Sequence, residues 1–284
     1  MSQTTSQVET VPATQETSPI FTKNHAIPVF TDKYTERKWA KAHMAGAFRM
    51  LAKFGWNDGA GGHISLRDPV QPDCFWINPY SKHFGSITVS DLILVTEEGV
   101  ALTPTKYRVN KAGFMIHSAL HKARPDINAA IHTHSPYGRA WSAFGRPIEM
   151  LNQDSCYFYN DLAVYEQFGA LCMLQRRARI LQLVWVQRRR ILFSKIMASL
   201  IVGRIMSTGA TIGEAVGVFT ALEQACEAQL LVEAAAANGI PKKLIDDETA
   251  QYTKTNGGGP EVLYMQFVPE YDMILEETNG SFLK

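Results

Sequence analysis

The 284-residue sequence predicts an α/β layered domain. Three observations carry that prediction. Short strand-like segments come first, a helix followed by a strand occupies the middle, and one long helix with an apolar stripe comes late. The connections between strands are too short for a regular βαβ alternation. Hydrophobic residues make up 46% of the chain and charged residues 19%, which fits a globular protein with a sizeable core.

Met1 to Ser18 is rich in Ser, Thr, Gln and Glu and has no apolar run. It reads as part of a disordered tail over residues 1–30, neither signal peptide nor membrane span. A domain over 31–240 and a C-terminal extension over 241–284 follow. Lys33 to Lys53 reads as a helix, because Ala40, Met44, Ala47, Met50 and Leu51 recur at helical spacing before Gly55 stops it. The turn-rich stretch Gly55 to Gly62 leads into His63-Ile64-Ser65-Leu66-Arg67, which alternates like a half-buried strand. Phe75 to Asn78 is a second strand, and Ile93-Leu94-Val95 enters a hairpin at Glu97-Glu98-Gly99. Lys111 to Ala123 is helical, with Ala112, Met115, Ile116, Ala119 and Leu120 on one side. Thr211 to Ala237 is a long helix striped by Ala215, Val218, Phe219, Leu222 and Ala225; Asn238-Gly239 caps it and Pro241 blocks its continuation. Asn256 to Pro260 reads as a flexible break before an amphipathic segment around Val262 to Phe267.

Cys74, Cys156, Cys172 and Cys226 are scattered, with no CxxC pair. That pattern excludes a disulfide scaffold and points to a reducing compartment, the cytoplasm. The net charge of +1 is unevenly spread: residues 170–208 hold seven Arg and one Lys and no acidic residue.

The sharpest chemical signal is His132-Thr133-His134, which closes the run Ile127 to Ile131 after an Arg124-Pro125-Asp126 turn. In a strand, residues i and i+2 share a face, so two imidazoles side by side make half of a tetrahedral zinc site. No histidine follows His134. The plainer alternative is two polar residues on a strand edge. His117 and His121 share a helix face, but no HExxH glutamate accompanies them, and a structural role is the expectation. His63 in the glycine turn and His83 in Tyr80-Ser81-Lys82-His83 stand as possible site neighbours. Gly61 and Gly62 with Ser81 and His83 are candidate substrate or anion contacts, through backbone N–H groups and polar side chains.

Three segments together resemble the class II aldolase/adducin N-terminal domain family. They are Gly59 to Arg67, Ala112 to Asp126, and His132-Thr133-His134-Ser135-Pro136-Tyr137-Gly138-Arg139. The late helix with Phe219, Glu223, Cys226 and Gln229 is also similar. The resemblance implies a three-layer αβα domain with a central mixed or antiparallel sheet, assembled as a homotetramer. It also implies a catalytic zinc on His132, His134 and a third histidine from a later Asn-His-Gly turn. Such a zinc serves C–C bond cleavage of a small carbonyl or hydroxy-acid substrate, by aldol or decarboxylation chemistry. Where the family's sugar-phosphate aldolases carry a general acid/base glutamate, this chain has Gly113. Tyr137, Tyr157 and Tyr159 are the candidate replacements, Tyr137 first. A non-catalytic adducin-like binding domain, associated with the cytoskeleton, is the alternative. Neither membrane nor nucleic acid is an expected partner.

The basic tract also departs from the family. Where Gln-Asn-His-Gly is expected, the chain reads Ser194-Lys195-Ile196-Met197-Ala198. Starting each codon at the third base of the preceding one permits Gln-Asn-His-Gly there. The closing Gly is required, because Met ends in G and Ala begins with GC. The same shift permits the family's Ala-Glu-Glu-Gly across Leu174 to Ala178. The sequence thus predicts that about 170–208 is an out-of-frame translation, with the third zinc ligand lost in it.

Overall fold

The computed structural model describes residues 27–165, 191–194 and 204–284. The N-terminal tail to residue 26, most of the basic tract and Cys172 lie outside the described residues.

Helix α1 (Lys33–Lys53) begins where Asp32 accepts hydrogen bonds from the Tyr34 and Thr35 amides. It leads into strands β1 (His63–Arg67), β2 (Cys74–Ile77) and β3 (Ile93–Thr96). Helix α2 (Lys111–Ala123), capped by Asn110, precedes β4 (Ala129–Thr133). The short helices α3 (Pro136–Ser142) and α4 (Gln153–Cys156) come next, then β5 (Leu162–Tyr165), β6 (Ile191–Ser194) and β7 (Arg204–Gly209). The long α5 (Ile212–Ala237) starts at Thr211, whose side chain accepts from the Glu214 amide. Helices α6 (Asp247–Gly257) and α7 (Pro260–Glu277) end the chain.

The seven strands form one mixed sheet in the order β3-β2-β1-β4-β7-β6-β5. All neighbours are antiparallel except β5 and β6. Alternation assigns residues to faces. Ile64, Leu66, Trp76, Ala129 and Ile131 face the main core, where α1, α5 and α7 supply Met44, Phe48, Phe219, Leu222 and Phe267. Phe75, Ile77, Ile93 and Val95 face the other way, onto Phe114 of α2 and Tyr107. The result is the expected αβα layering. Arg37 of α1 donates two hydrogen bonds, of 2.9 and 2.5 Å, to the fully buried Asp68 just after β1, which ties helix to sheet.

One part differs from the sequence reading. The break expected at Asn256 to Pro260 shrinks to Gly258-Gly259, because Asp246 caps a helix that runs through Gly257. Beyond it α7 is an 18-residue helix that continues past Pro269. Its buried Leu263, Tyr264, Phe267 and Ile274 hold it on the core despite the missing proline donor. Residues 204–208, inside the Arg-rich window, form strand β7, and Met206, Ser207 and Thr208 are buried beside β4.

Candidate functional site

Register places the site. His63 of β1 lies opposite His132 of β4, and Ser65 lies opposite Ala130. Residues opposite each other share a face, so His63, Ser65, Arg67 and His132 all turn toward α2. His134 follows one residue past the end of β4. His132 and His134 are 3% and 6% exposed, and their ring centroids are 5.2 Å apart at 60°.

The glycine turn grips the outer edge of His134. Asp58 Oδ2 lies 3.4 Å from His134 Nδ1. Gly61 packs against the same edge, where a Cβ would stand 2.8 Å from Cε1. With Nδ1 beside a carboxylate, Nε2 is the nitrogen that would take a metal. Asp58 Oδ2 is also 3.5 Å from Arg139 Nη1.

The turn after His134 is held from behind by a residue of α5. Glu223, 1% exposed, accepts from Ser135 Oγ at 2.6 Å, from the Tyr137 amide at 2.7 Å and from the Gly138 amide at 2.8 Å. These amides are unpaired donors of the first turn of α3. Burial pushes the Glu223 carboxyl above its usual range, and the three donors act against that shift.

On the α2 side, a Cβ at Gly113 would overlap the His63 ring. The strand histidine therefore occupies the space that a side chain at that helix position would need. Behind it, Ser65 Oγ lies 2.6 Å from His117 Nδ1 and 2.8 Å from His121 Nε2. Arg67 Nη2 donates to the His121 carbonyl at 2.7 Å. The His117 ring meets that of His63 edge-on, with centroids 5.9 Å apart. Burial lowers the pKa of both His117 and His121 to about 3, so both are neutral at physiological pH. The i, i+4 spacing thus serves a buried network centred on Ser65. His63, expected near the site from the glycine turn, stands opposite His132, and its fit against α2 depends on Gly113 in the first turn of that helix.

Asn78 Nδ2 donates to the Gly62 carbonyl at 3.5 Å. Ser81 adopts a positive φ of 66°, and the exposed His83 accepts from the Gly85 amide while its Nε2 lies 2.8 Å from the Asn57 side-chain amide. The Tyr137 phenol hydrogen-bonds Glu227 of α5, which raises its pKa. Tyr157 Oη accepts from Gln153 and its ring packs on Gly257. Tyr159 faces Asp247 of α6, and burial with that carboxylate raises its pKa. Both of these tyrosines therefore belong to the contact with α6. Among the described residues, no group of three or more His, Cys, Asp or Glu is placed to hold a metal. The donor chemistry of His132 and His134 fits zinc as half of a site.

The chain matches the Class II Aldolase and Adducin N-terminal domain over residues 42–230. It belongs to that family. The family member described as meiotically up-regulated gene 14 protein of Schizosaccharomyces pombe is 34% identical, with 89% of this chain and 96% of that protein covered. Decarboxylase NovR of Streptomyces niveus is 35% identical over 87% of this chain and 88% of that protein. Among solved structures, an L-fuculose 1-phosphate aldolase from Glaciozyma antarctica superposes with a TM-score of 0.80 at 34% identity, covering 91% of this chain and 97% of that one. No helix among the described residues of this aldolase-family chain is long and apolar enough to cross a membrane. Cys74, Cys156 and Cys226 are free and buried.

Two outcomes follow from this geometry. Replacing Glu223 by Gln at pH 8 sets an amide donor against one of the three donors it now satisfies. The expected loss is about 1–3 kcal/mol in urea unfolding; a change under about 0.5 kcal/mol contradicts the clamp. His117 and His121 titrate near 6.5 when unfolded and near 3 when folded, so acid protonates the unfolded chain first. Their stabilisation is complete above about pH 6.5 and is lost as pH falls toward 3. A loss on the order of 2–4 kcal/mol between pH 7 and pH 5, reduced in the His117→Asn variant, is expected; equal stability at both pH values counts against it.

Proposed function

We propose that this protein is a zinc-dependent lyase that cleaves a C–C bond, by aldol or decarboxylation chemistry, in a small carbonyl or hydroxy-acid substrate. The observation that carries the reading is the buried His132–His134 pair, with His134 held through Nδ1 by Asp58. Relatives named as a decarboxylase and as an aldolase support the reaction class. When bound, zinc supplies a Lewis acid for a carbonyl oxygen.

The chain's own side chains divide the remaining work. Asp58 and Gly61 orient His134, and Glu223 sets the turn that carries it. Gly62, Ser81 and His83 are the substrate or anion contacts; the Gly61 N–H, expected to join them, is donated to the Asp58 carbonyl at 2.7 Å and is taken up by the turn itself. Tyr137 is the proton donor, and the Glu227 hydrogen bond that raises its pKa keeps the phenol protonated at neutral pH. The subunits assemble as a homotetramer in the cytoplasm.

Two ligands hold zinc weakly, so the chain as translated is impaired. The third histidine belongs to the tract read out of frame, of which residues 195–203 lie outside the described residues. Sequencing the transcript across this region is expected to restore Gln-Asn-His-Gly. An unbroken frame encoding Arg188-Arg189-Arg190 overturns that account.

The second reading is an adducin-like binding domain, favoured by Gly113, which offers no titratable group. Metal analysis separates the two. The frame-corrected protein is expected to hold about one zinc per subunit, lost in the His132→Ala variant. No zinc at saturating supply removes the lyase reading and leaves the adducin-like one.

A further inference from the structure

We propose that the groove between β3, the 105–109 segment and the first turns of α2 binds an alkyl carboxylate, with the chain in the groove and the carboxylate on Arg108 and Lys111. The proposal depends on neither a metal nor the histidine pair.

Helix α2 has two working sides. Gly113 and His117 meet His63. Lys111, Phe114 and Met115, at helical spacing on another side, line a cavity of about 490 Å³. Ile93 and Val95 of β3 form its bottom and are fully buried. Tyr107, Val109, Phe114 and Met115 wall it and are only half-buried. A concave, mostly apolar space of this size falls in the ~300–1,000 Å³ range of small-ligand sites.

The walls suit an alkyl chain better than an aryl ring. Phe114 is stacked on Phe75, with centroids 5.8 Å apart at 16°. Gly99 closes on its edge, where a Cβ would stand 3.1 Å from Cε1. The Tyr107 ring carries Lys106 and Lys82, at 5.4 and 5.7 Å from its centroid. Both rings are thus engaged by neighbours. Val109 and the adaptable Met115 offer aliphatic surface along which a flexible chain can lie.

The mouth is positive. Arg108 and Lys111 line it, both are exposed, and neither has an ion-pair partner among the described residues. Glu98, the acidic residue of the lining, already receives Lys122 Nζ at 3.3 Å. A carboxylate supplies what this rim lacks, because it can pair with a guanidinium and an ammonium at once. A neutral chain gives these cations nothing, and a short acid leaves the walls wet.

The test titrates octanoate, octanamide and propionate into the full-length protein by calorimetry at one ionic strength. The three probes separate chain from charge. Octanoate is expected to bind, with octanamide and propionate each at least tenfold weaker. The Arg108→Gln/Lys111→Gln double variant is expected to bind octanoate at least tenfold more weakly and octanamide as before. The place is read by NMR on protein carrying isotope-labelled methionine methyl groups: octanoate is expected to shift the resonance that Met115→Leu removes. Thermal melting verifies that the double variant is folded; if it is not, the single variants Arg108→Gln and Lys111→Gln take its place. No octanoate binding by wild type, octanamide binding as tight as octanoate, octanoate binding unchanged in the Gln variants, or binding without a shift of the Met115 resonance each overturns the proposal. Zinc uptake and its loss in His132→Ala bear on the lyase reading alone, so the two fail separately.

Discussion

The site depends on one carboxylate. Glu223 reaches from the middle of α5 to the turn between β4 and α3 and accepts three hydrogen bonds there. His134 stands outside the strand, so the sheet ladder does not hold it. Removing the carboxylate would leave two buried amides and a hydroxyl without partners, at a cost of about 1–3 kcal/mol for each. The clamp therefore couples the position of a candidate metal ligand to the packing of α5 against the sheet. Burial raises the Glu223 carboxyl above its usual range, and the three donors oppose that shift.

The opposite face of the sheet uses a different device. The His63 ring lies in the space left by the absent side chain of Gly113. A carboxylate side chain at position 113 of α2 and this ring could not both fit in this arrangement. Neutral His117 and His121 back it through Ser65. Burial keeps these imidazoles neutral, and Ser65 engages one ring nitrogen each of His117 and His121. Three histidines that look scattered in sequence are thus one layer between β1 and α2.

Much of the scaffold was legible in the residues. Helices 33–53 and 111–123 carry both apolar periodicity and Asx caps, and the structure reproduces their limits. Alternation in His63 to Arg67 reads as a half-buried strand; the strand is present, but His63 to Leu66 are all buried, because α2 covers the polar face. The last helix was less legible. Gly257, Gly258 and Gly259 suggest a break, whereas tertiary burial of Leu263, Phe267 and Ile274 keeps α7 continuous through a proline. Local propensity is a weak guide where packing supplies the free energy. Helices α3 and α4 are too short to show a period.

For the site, sequence alone singled out His132 and His134 through a strand period of two, although only His132 lies in β4 and His134 follows one residue past its end. It also showed that no later histidine completes the set. Tertiary structure decided which residues surround that pair. Asp58, Glu223, Arg139 and His63 come from a loop, two helices and a neighbouring strand, up to 88 positions from their partners. No local pattern encodes such distances; they follow from register between β1 and β4 and from the way α5 crosses the sheet.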